Sequence, residues 1–498
     1  MMGSLFSAVS GLKNHSTWMN VIGNNISNVN TVGYKMSRVT FKEAISQSLG
    51  SASGASTTSN LGGINAKAMG LGATVGTIDT IMTQGALQTT GNSTDIAITG
   101  AGFFIAKAGD QTLYTRAGNL TFDNTGNLVA SDGALIQGWS RQLTRTAVGT
   151  MITVTGNTVN TSTLPGNIQI PQNLVMGPQA TSSNLSPSIK DQGIILKGNL
   201  DAYTPVNAIA SPGAARPLAG YVPSAVSTAT VYDSLGTART ITFYWTQTAA
   251  TPGAAASWDW TAYDTTNGAT IGDTTTAGTA AIVGNNLAAI TFNSDGSLAT
   301  NGIAAGTTNP IITLALTDGA LTPQVISVNL GTPNAVGPPV VVGQRDGLTG
   351  DYGNGTINAT TLVYTPKQTI YTSFTDGYGE GTLNGVSIDS FGSINCSFSN
   401  NQIISMAQLA LANFTNPGGL EKAGDTMYAE SANSGLAQIG TAGSSGLGTT
   451  TGGALEASNV DLSTELTNMI IAQRGFESNA RIITTSSEML TTLVQLGR

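Results

Sequence analysis

Charge is scarce in this chain. Only 9 % of its 498 residues are Asp, Glu, Lys or Arg, against roughly 25 % in ordinary soluble proteins. The formal balance is −8 and the 19 basic residues are scattered, so no basic face forms and a nucleic-acid partner is not expected. Cys396 is the single cysteine and His15 the single histidine. These counts exclude an internal disulfide framework, a Cys-rich metal site and a His-cluster zinc site, and leave little for a His-based triad. No window approaches about 18 uninterrupted apolar residues, so no membrane insertion is expected. The start, "MMGSLFSAVSGLKNHSTW", lacks a basic n-region, a continuous apolar h-region and a small-residue cleavage site; export by an ordinary secretory signal is not expected either.

Catalytic patterns are equally thin. "GNGTINAT" and "GDYGNG" are glycine-rich, but neither is a Walker A loop or a dinucleotide turn opening a helix. No G-x-S-x-G nucleophile elbow accompanies a triad. Asp376, Glu380 and Asp389 are near one another in sequence, and a solvated β-surface explains them better than paired catalytic carboxylates. Cys396 reads as a buried or half-buried strand residue. No catalytic residue, metal ligand or cofactor is therefore expected.

The missing charge is replaced by Gly, Ala, Ser, Thr and Asn, a composition closer to extracellular β-rich proteins than to a cytosolic enzyme. Between residues 75 and 425 the pattern has period two with turn punctuation: "DIAITGAGFFIAK" and "TITFYWTQ" read as strands. A short signature recurs at "FDNTGNL" from Phe122, "YDSLGTA" from Tyr232, "FNSDGSL" from Phe292 and "IDSFGSI" from Ile388. Each places Asp or Asn three residues before Gly, which suits a hairpin turn closed by the side chain, with Gly in the left-handed slot. The sharper alternative, calcium binding, lacks the ligand series of an EF-hand loop.

The two ends differ in kind. Steps of three and four run through Leu5, Ala8, Leu12, His15, Met19, Ile22, Ile26 and Val29, and again through Leu466, Met469, Gln473, Phe476, Ala480, Ile483, Ser487, Leu490 and Val494. Each is a heptad-like seam. Ser463 is the expected cap of the second helix, with Leu466 opening its apolar face. Gly/Ser/Thr-rich stretches, 47–63 and 440–453, separate both helices from the β-rich middle. An isolated apolar stripe needs a partner, and the nearest is the other terminus. Asn24, Asn25 and Asn28 interrupt the first seam.

At both ends the wording is familiar. "SLFSAVSGLKNHSTWMNVIGNNISNVNTVGYK" and "ALEASNVDLSTELTNMIIAQRGFESNARIITTSSEMLTTLVQLGR" resemble the termini of bacterial flagellar rod and hook axial proteins. "YTRAGNLTFDNTGNLVASDG" and "ISMAQLALANFTNPGGLEKAGDTMYAESANSG" resemble the family's first β-domain, and "VYDSLGTARTITFYW" resembles the outer domain of its hook members. The resemblance implies a mainly β, nested, discontinuous multi-domain axial protein with a terminal α-helical coiled coil and outer β-domains. On that pattern, 1–30 and 458–498 form an inner tube, 31–78 and 426–457 a connector region, 79–166 and 346–425 an inner β-domain, and 167–345 one or two inserted outer β-domains. Leu5, Ala8, Leu12, Met19, Ile22, Ile26, Val29, Leu466, Met469, Phe476, Ala480, Ile483, Leu490 and Val494 become subunit-interface residues, and the resemblance implies that Asn24, Asn25 and Asn28 are channel-lining or interface polar residues. The implied function is a structural subunit that polymerises into a curved, flexible hook transmitting torque. The implied partners are other copies, the distal rod, the hook cap, the hook–filament junction and a type III export apparatus, with an extracellular, flagellar location. A distal-rod subunit is the near alternative, and a secreted β-domain adhesin or enzyme the distant one.

Overall fold

The computed structural model describes residues 2–496 apart from 55–61, 142, 146–151, 155–158, 172, 183–192, 202–203, 205, 207–221, 250–256, 266–289, 294–296, 302–309, 315–319, 321–323, 332–347, 350–355, 359–362 and 366–367. The stretches "GDYGNG" and most of "GTPNAVGPPVVVG" lie outside the described residues. The chain is mainly β, with one long helix at each terminus: α1 (Met2–Ser27) and α2 (Leu462–Leu496). No described helix is long and apolar enough to cross a membrane.

The chain divides into two compact units. The first comprises Met1–Thr144, Val154–Leu174 and Leu383–Arg498; the second comprises Arg145–Thr153 and Val175–Thr382. In the first unit, early and late strands interleave. Ile403–Asn413 pairs with Leu135–Ser140 and with Phe103–Ala108, while Gln111–Thr115 pairs with Met427–Ala429. Period-two alternation buries Phe103, Ile105, Tyr114 and Trp139 against Ala410, Ala412, Phe414 and Tyr428. Tyr114 and Phe414 meet edge-on with centroids 4.8 Å apart, the arrangement favoured by the ring quadrupoles. Cys396 sits fully buried in Ser393–Phe398, and burial pushes its thiol up to about 12. It is a strand residue, as its setting predicts.

The second unit holds an antiparallel sheet that starts with Ala225–Tyr232, Ala238–Ala249 and Ser257–Asp264, aligned without interruption from Ala225↔Trp245 to Tyr232↔Ala238. Trp245, Trp258, Phe243 and Phe292 are fully buried in its core. The charged ends of these strands are tied internally: Arg239 bridges Asp233 at 3.1 Å and Asp264 at 3.2 Å.

The stretch read as a flexible connector departs from expectation. Ser37–Glu43 pairs with Ala73–Thr80, and Ser46–Gly50 pairs with Lys67–Gly70, making a two-stranded ribbon. Its outer strands are exposed at every residue but half-buried Gly50, so they carry none of the apolar/polar alternation by which a half-buried strand is recognised. The late connector is likewise paired: Thr449–Gly452 with Ile96–Thr99, and Ala454–Glu456 with Leu87–Thr89.

The recurrent turn signature is built the same way each time it is described. Asp123, Asp233 and Asp389 each accept two backbone N–H bonds on Oδ1, at 2.7–3.0 Å, from the residues two and four places ahead. Gly126, Gly236 and Gly392 take φ of +84°, +83° and +79°, which a side chain would strain. The fourth copy, from Phe292, lies partly outside the described residues. Asp389 is thus a turn residue, and Asp376 Oδ1 accepts the Ser182 N–H at 2.9 Å; neither is placed as a catalytic acid. The side-chain amide of Asn127, helped by backbone and Thr125 donors, lowers the Asp123 carboxyl to about 2. A depressed carboxylate pKa stabilises the fold above its unfolded value near 4 and loses that contribution as pH falls toward 2. Carbon-detected NMR titration should place Asp123 near 2, and Asn127→Ala should move it up toward the usual carboxylate value; an unchanged midpoint would remove Asn127 as the cause.

Candidate functional site

The two terminal helices run antiparallel. Gly11 lies against the Asn479 side chain and Gly475 against the His15 ring, where an added Cβ would approach within 2.8 Å and 2.5 Å respectively. Asn25 reaches Glu465 further along. Small residues, not large ones, therefore bring the backbones together. Ala8, Ile22 and Ala472 are buried, with Glu465 and Ser486 on the same line of α2.

α2 is capped by Asp461, not Ser463. Asp461 Oδ1 accepts the Ser463 N–H at 2.9 Å and Oδ2 accepts the Thr464 hydroxyl at 2.8 Å. The Thr464 hydroxyl bond and these backbone donors hold its carboxyl below the usual range. This satisfies donors that a helix start leaves open and puts negative charge at the positive end of the dipole.

Beyond the helices lies a buried polar clasp. Its early arm is Asn25, Gly33, Tyr34 and Lys35; its late arm is Glu456, Asn459 and Glu465. Lys35 Nζ meets Glu456 Oε1 at 2.6 Å and donates to the Thr83 carbonyl at 2.7 Å. Arg116 Nη1 reaches Glu456 Oε2 at 3.2 Å, and the Gly85 N–H donates to Oε1 at 2.8 Å. Lys35 and Glu456 are at most 1 % exposed and Arg116 5 %. Burial lowers the pKa of both Lys35 and Arg116, and the Glu456 carboxylate offsets only part of that effect. Asn459 closes a second bridge: Oδ1 accepts the Met36 N–H at 2.8 Å, and Nδ2 donates to the Ile81 carbonyl at 2.8 Å. Gly33 has φ +68°, and a side chain there would strike the Arg116–Ala117 backbone. Its N–H donates to the Glu456 carbonyl at 2.8 Å.

Asn25 belongs to this clasp. It is 1 % exposed. Its Nδ2 donates to the Ser37 carbonyl at 2.8 Å and to Glu465 at 3.1 Å, and Oδ1 accepts from the Ser37 N–H at 3.0 Å and the Tyr34 hydroxyl at 3.2 Å. All four hydrogen-bonding positions of the amide are filled within the chain, which corrects its reading as a channel-lining or interface residue. Burial, then Glu465, raises the Tyr34 pKa. Asn24 is exposed and Asn28 half-buried. Asn28 Nδ2 donates to the Asn24 carbonyl at 2.9 Å and to its Oδ1 at 2.7 Å, so this pair finishes the last turn of α1.

The apolar seam residues separate into two groups. Ala8 and Ile22 are buried; Leu5, Leu12, Met19, Ile26, Met469, Ala480, Ile483 and Leu490 are half-buried. Val29 is half-buried too, but lies past the end of α1. Leu466, Phe476 and Val494 are 46 %, 37 % and 65 % exposed, so they lie outside the line that α2 buries within the chain. The clasp residues Tyr34, Lys35, Arg116, Glu456, Asn459 and Glu465 were not singled out by sequence. Their signal was a lone Lys and a lone Glu inside nearly uncharged stretches, "NVNTVGYK" and "LEASNVDL".

Four family models match in chain order. They are the flagella basal body rod protein over 5–35, the flagellar hook protein FlgE/F/G D1 domain over 97–196, the flagellar basal body protein FlaE D2 domain over 199–378, and the flagellar basal body rod FlgEFG protein C-terminal over 451–496. With paired terminal helices and nested β-units, they define an axial protein of the bacterial flagellum. The chain is 38 % identical to the flagellar hook protein FlgE of Treponema pallidum over all of both chains. It is 30 % identical to that of Escherichia coli over 98 % of both. A flagellar basal-body rod protein FlgG of Bacillus subtilis is 55 % identical over 27 % of this chain and 50 % of its own. The solved structure of Helicobacter pylori flagellar hook protein FlgE2 gives a TM-score of 0.42 at 14 % identity, covering 74 % of this chain and all of that one. The chain belongs to the flagellar hook protein family and is a structural subunit of the hook.

Removing Glu456 strands two buried cations, whereas removing Lys35 leaves a neutral Arg116–Glu456 pair. Glu456→Leu should therefore cost about 3–5 kcal/mol, and Lys35→Met clearly less. Urea unfolding followed by circular dichroism checks the order; equal losses would show that the charges act independently.

Proposed function

We propose that copies of this chain assemble into a bent, flexible tube, a universal joint carrying motor torque to the filament. The terminal helices form the inner wall around an export channel, and the β-units lie at larger radius. The observation that carries this reading is the apolar surface that α1 leaves uncovered on α2. Ile470, Met489 and Leu493 are 58 %, 52 % and 56 % exposed. Ile482, Met489, Leu493 and Leu496 recur at seven-, four- and three-residue steps and so share one face. A helix apolar on more than its packed line calls for further neighbours, and a homopolymer supplies them in every subunit alike. Leu466, Phe476 and Val494 belong to that between-copy surface. Leu5, Leu12, Met19, Ile26, Met469, Ala480, Ile483 and Leu490 serve both the pair and its neighbours, while Ala8 and Ile22 hold the pair. Asn24 and Asn28 remain the polar groups offered to the channel or an adjacent copy.

In this reading the four-part division, with inner tube, connector, inner β-domain and inserted outer domains, follows radius. The inner helices hold through desolvated apolar contacts. Ser/Thr/Asn-rich outer surfaces make wetter contacts that re-form as subunits slide during rotation. The distal rod, hook cap and hook–filament junction are its neighbours. It leaves through a type III export apparatus, lies outside the cell, and catalyses nothing.

The rod-model and FlgG matches favour one second reading, a distal-rod subunit. Electron microscopy of basal bodies from a strain lacking the gene separates them: a complete rod without hook or filament supports the joint, and a truncated rod supports the shaft. Leu493→Asp should leave monomer stability within about 0.5 kcal/mol yet abolish polymerisation by sedimentation; normal polymers would remove this face from the interface.

A further inference from the structure

The Lys35–Glu456–Arg116 cluster sets two cations against one carboxylate. Arg116 Nη1 contacts Glu456 and, at 3.5 Å, the Ile98 carbonyl, and Nη2 donates to the Gly100 carbonyl at 2.6 Å. Nε is buried with no acceptor. A guanidinium carries five N–H bonds, so a second Nη2 hydrogen is also unused among the described residues.

Arg116 lines a cavity of about 290 Å³ with Met82, Gln84, Phe103, Asn413 and Pro417. Its two side-chain amides have engaged oxygens, and Gln84 Nε2 gives one hydrogen to the Ile98 carbonyl at 3.3 Å. Asn413 Oδ1 accepts the Phe414 N–H at 2.9 Å, which leaves Nδ2 to donate. Gln84 Oε1 is taken by the Gly100 N–H at 2.9 Å. The guanidinium carbon lies 5.3 Å from the centroid of the Phe103 ring, fixing the wall from which the charge acts. Surplus positive charge, free donors and an apolar lining select an anion on a short hydrocarbon stem. The chain itself offers such groups in excess, 27 Asp and Glu against 19 Lys and Arg.

We propose that this cavity is a carboxylate socket that receives an Asp or Glu side chain from a second copy of the chain. The identity of the donor rests on the polymer reading; the socket's chemistry stands on the single chain, and two measurements keep these apart. Acetate, added to the full-length monomer against a chloride control, should shift the Ala101, Gly102 and Asn413 amide resonances saturably. Asn413→Asp keeps the acceptor for Phe414 but puts a negative charge at the wall, and should weaken acetate at least about tenfold. Ala101→Glu, at an exposed loop position beside the cavity, should do the same by self-filling. Both variants should also lower polymer yield. Absence of a saturable shift, or acetate binding by either variant as tight as by the unaltered chain, overturns the socket. Acetate binding that the variants weaken, with polymer yield unchanged, overturns the second copy as its occupant.

Discussion

One carboxylate governs the base of this molecule. Glu456 takes Lys35 on one oxygen and Arg116 on the other, in a setting with almost no water. Its own carbonyl also accepts from Gly33. Breaking such a cluster is far more damaging than never having built it, because an unpaired buried charge remains. Its value lies in geometry: an apolar contact of similar area tolerates sliding, whereas two ion pairs with fixed donors admit a single register. The phase of α1 against α2, fixed again by Asn25 on Glu465, follows from that register, and so does the face of α2 left open to other copies.

Close packing of the helices follows the same logic. Gly11, Ala472 and Gly475 permit near approach without a thick apolar layer, and Asn479 and His15 occupy the gaps. Several large apolar side chains of α2, Ile470, Met489 and Leu493 among them, are thereby kept outside. Exposing Ile470, Met489 and Leu493 is a liability in a solitary protein and a requirement in a subunit.

Much of this was legible in sequence, for local reasons. The Asp-to-Gly turns are self-contained, so "FDNTGNL" specifies Asp123 and Gly126 wherever it stands. The strand paired with that of Trp245 alternates buried and exposed positions from Ala225 to Val231, and the helix ends lie in runs of three-and-four spacing. What failed to show has equally physical causes. A seam made by Ala472, Gly475 and Ser486 does not stand out in a search for large apolar residues, so the second seam was placed along Leu466 and Phe476 instead. "SNVDLSTEL" offers several capping side chains in a row, and only the backbone direction selects Asp461 over Ser463. The ribbon's outer strands are wet on every face and lack alternation. The clasp joins Lys35 and Glu456, 421 positions apart, and no local period can report such a pairing.

That separation also orders events in time. Closing a loop of this length costs about 5 kcal/mol in chain entropy by the logarithmic rule, and neither arm holds its charge comfortably in a dry site alone. The clasp therefore forms only when the far end of the chain is at hand, whichever end arrives first. A chain cut short before Glu456 keeps the residues of the tryptophan-bearing β-unit but has no carboxylate to pair with Lys35. Fastening thus reports completeness: the cation beside α1 gains its buried counter-charge only after nearly the whole length of the chain is present.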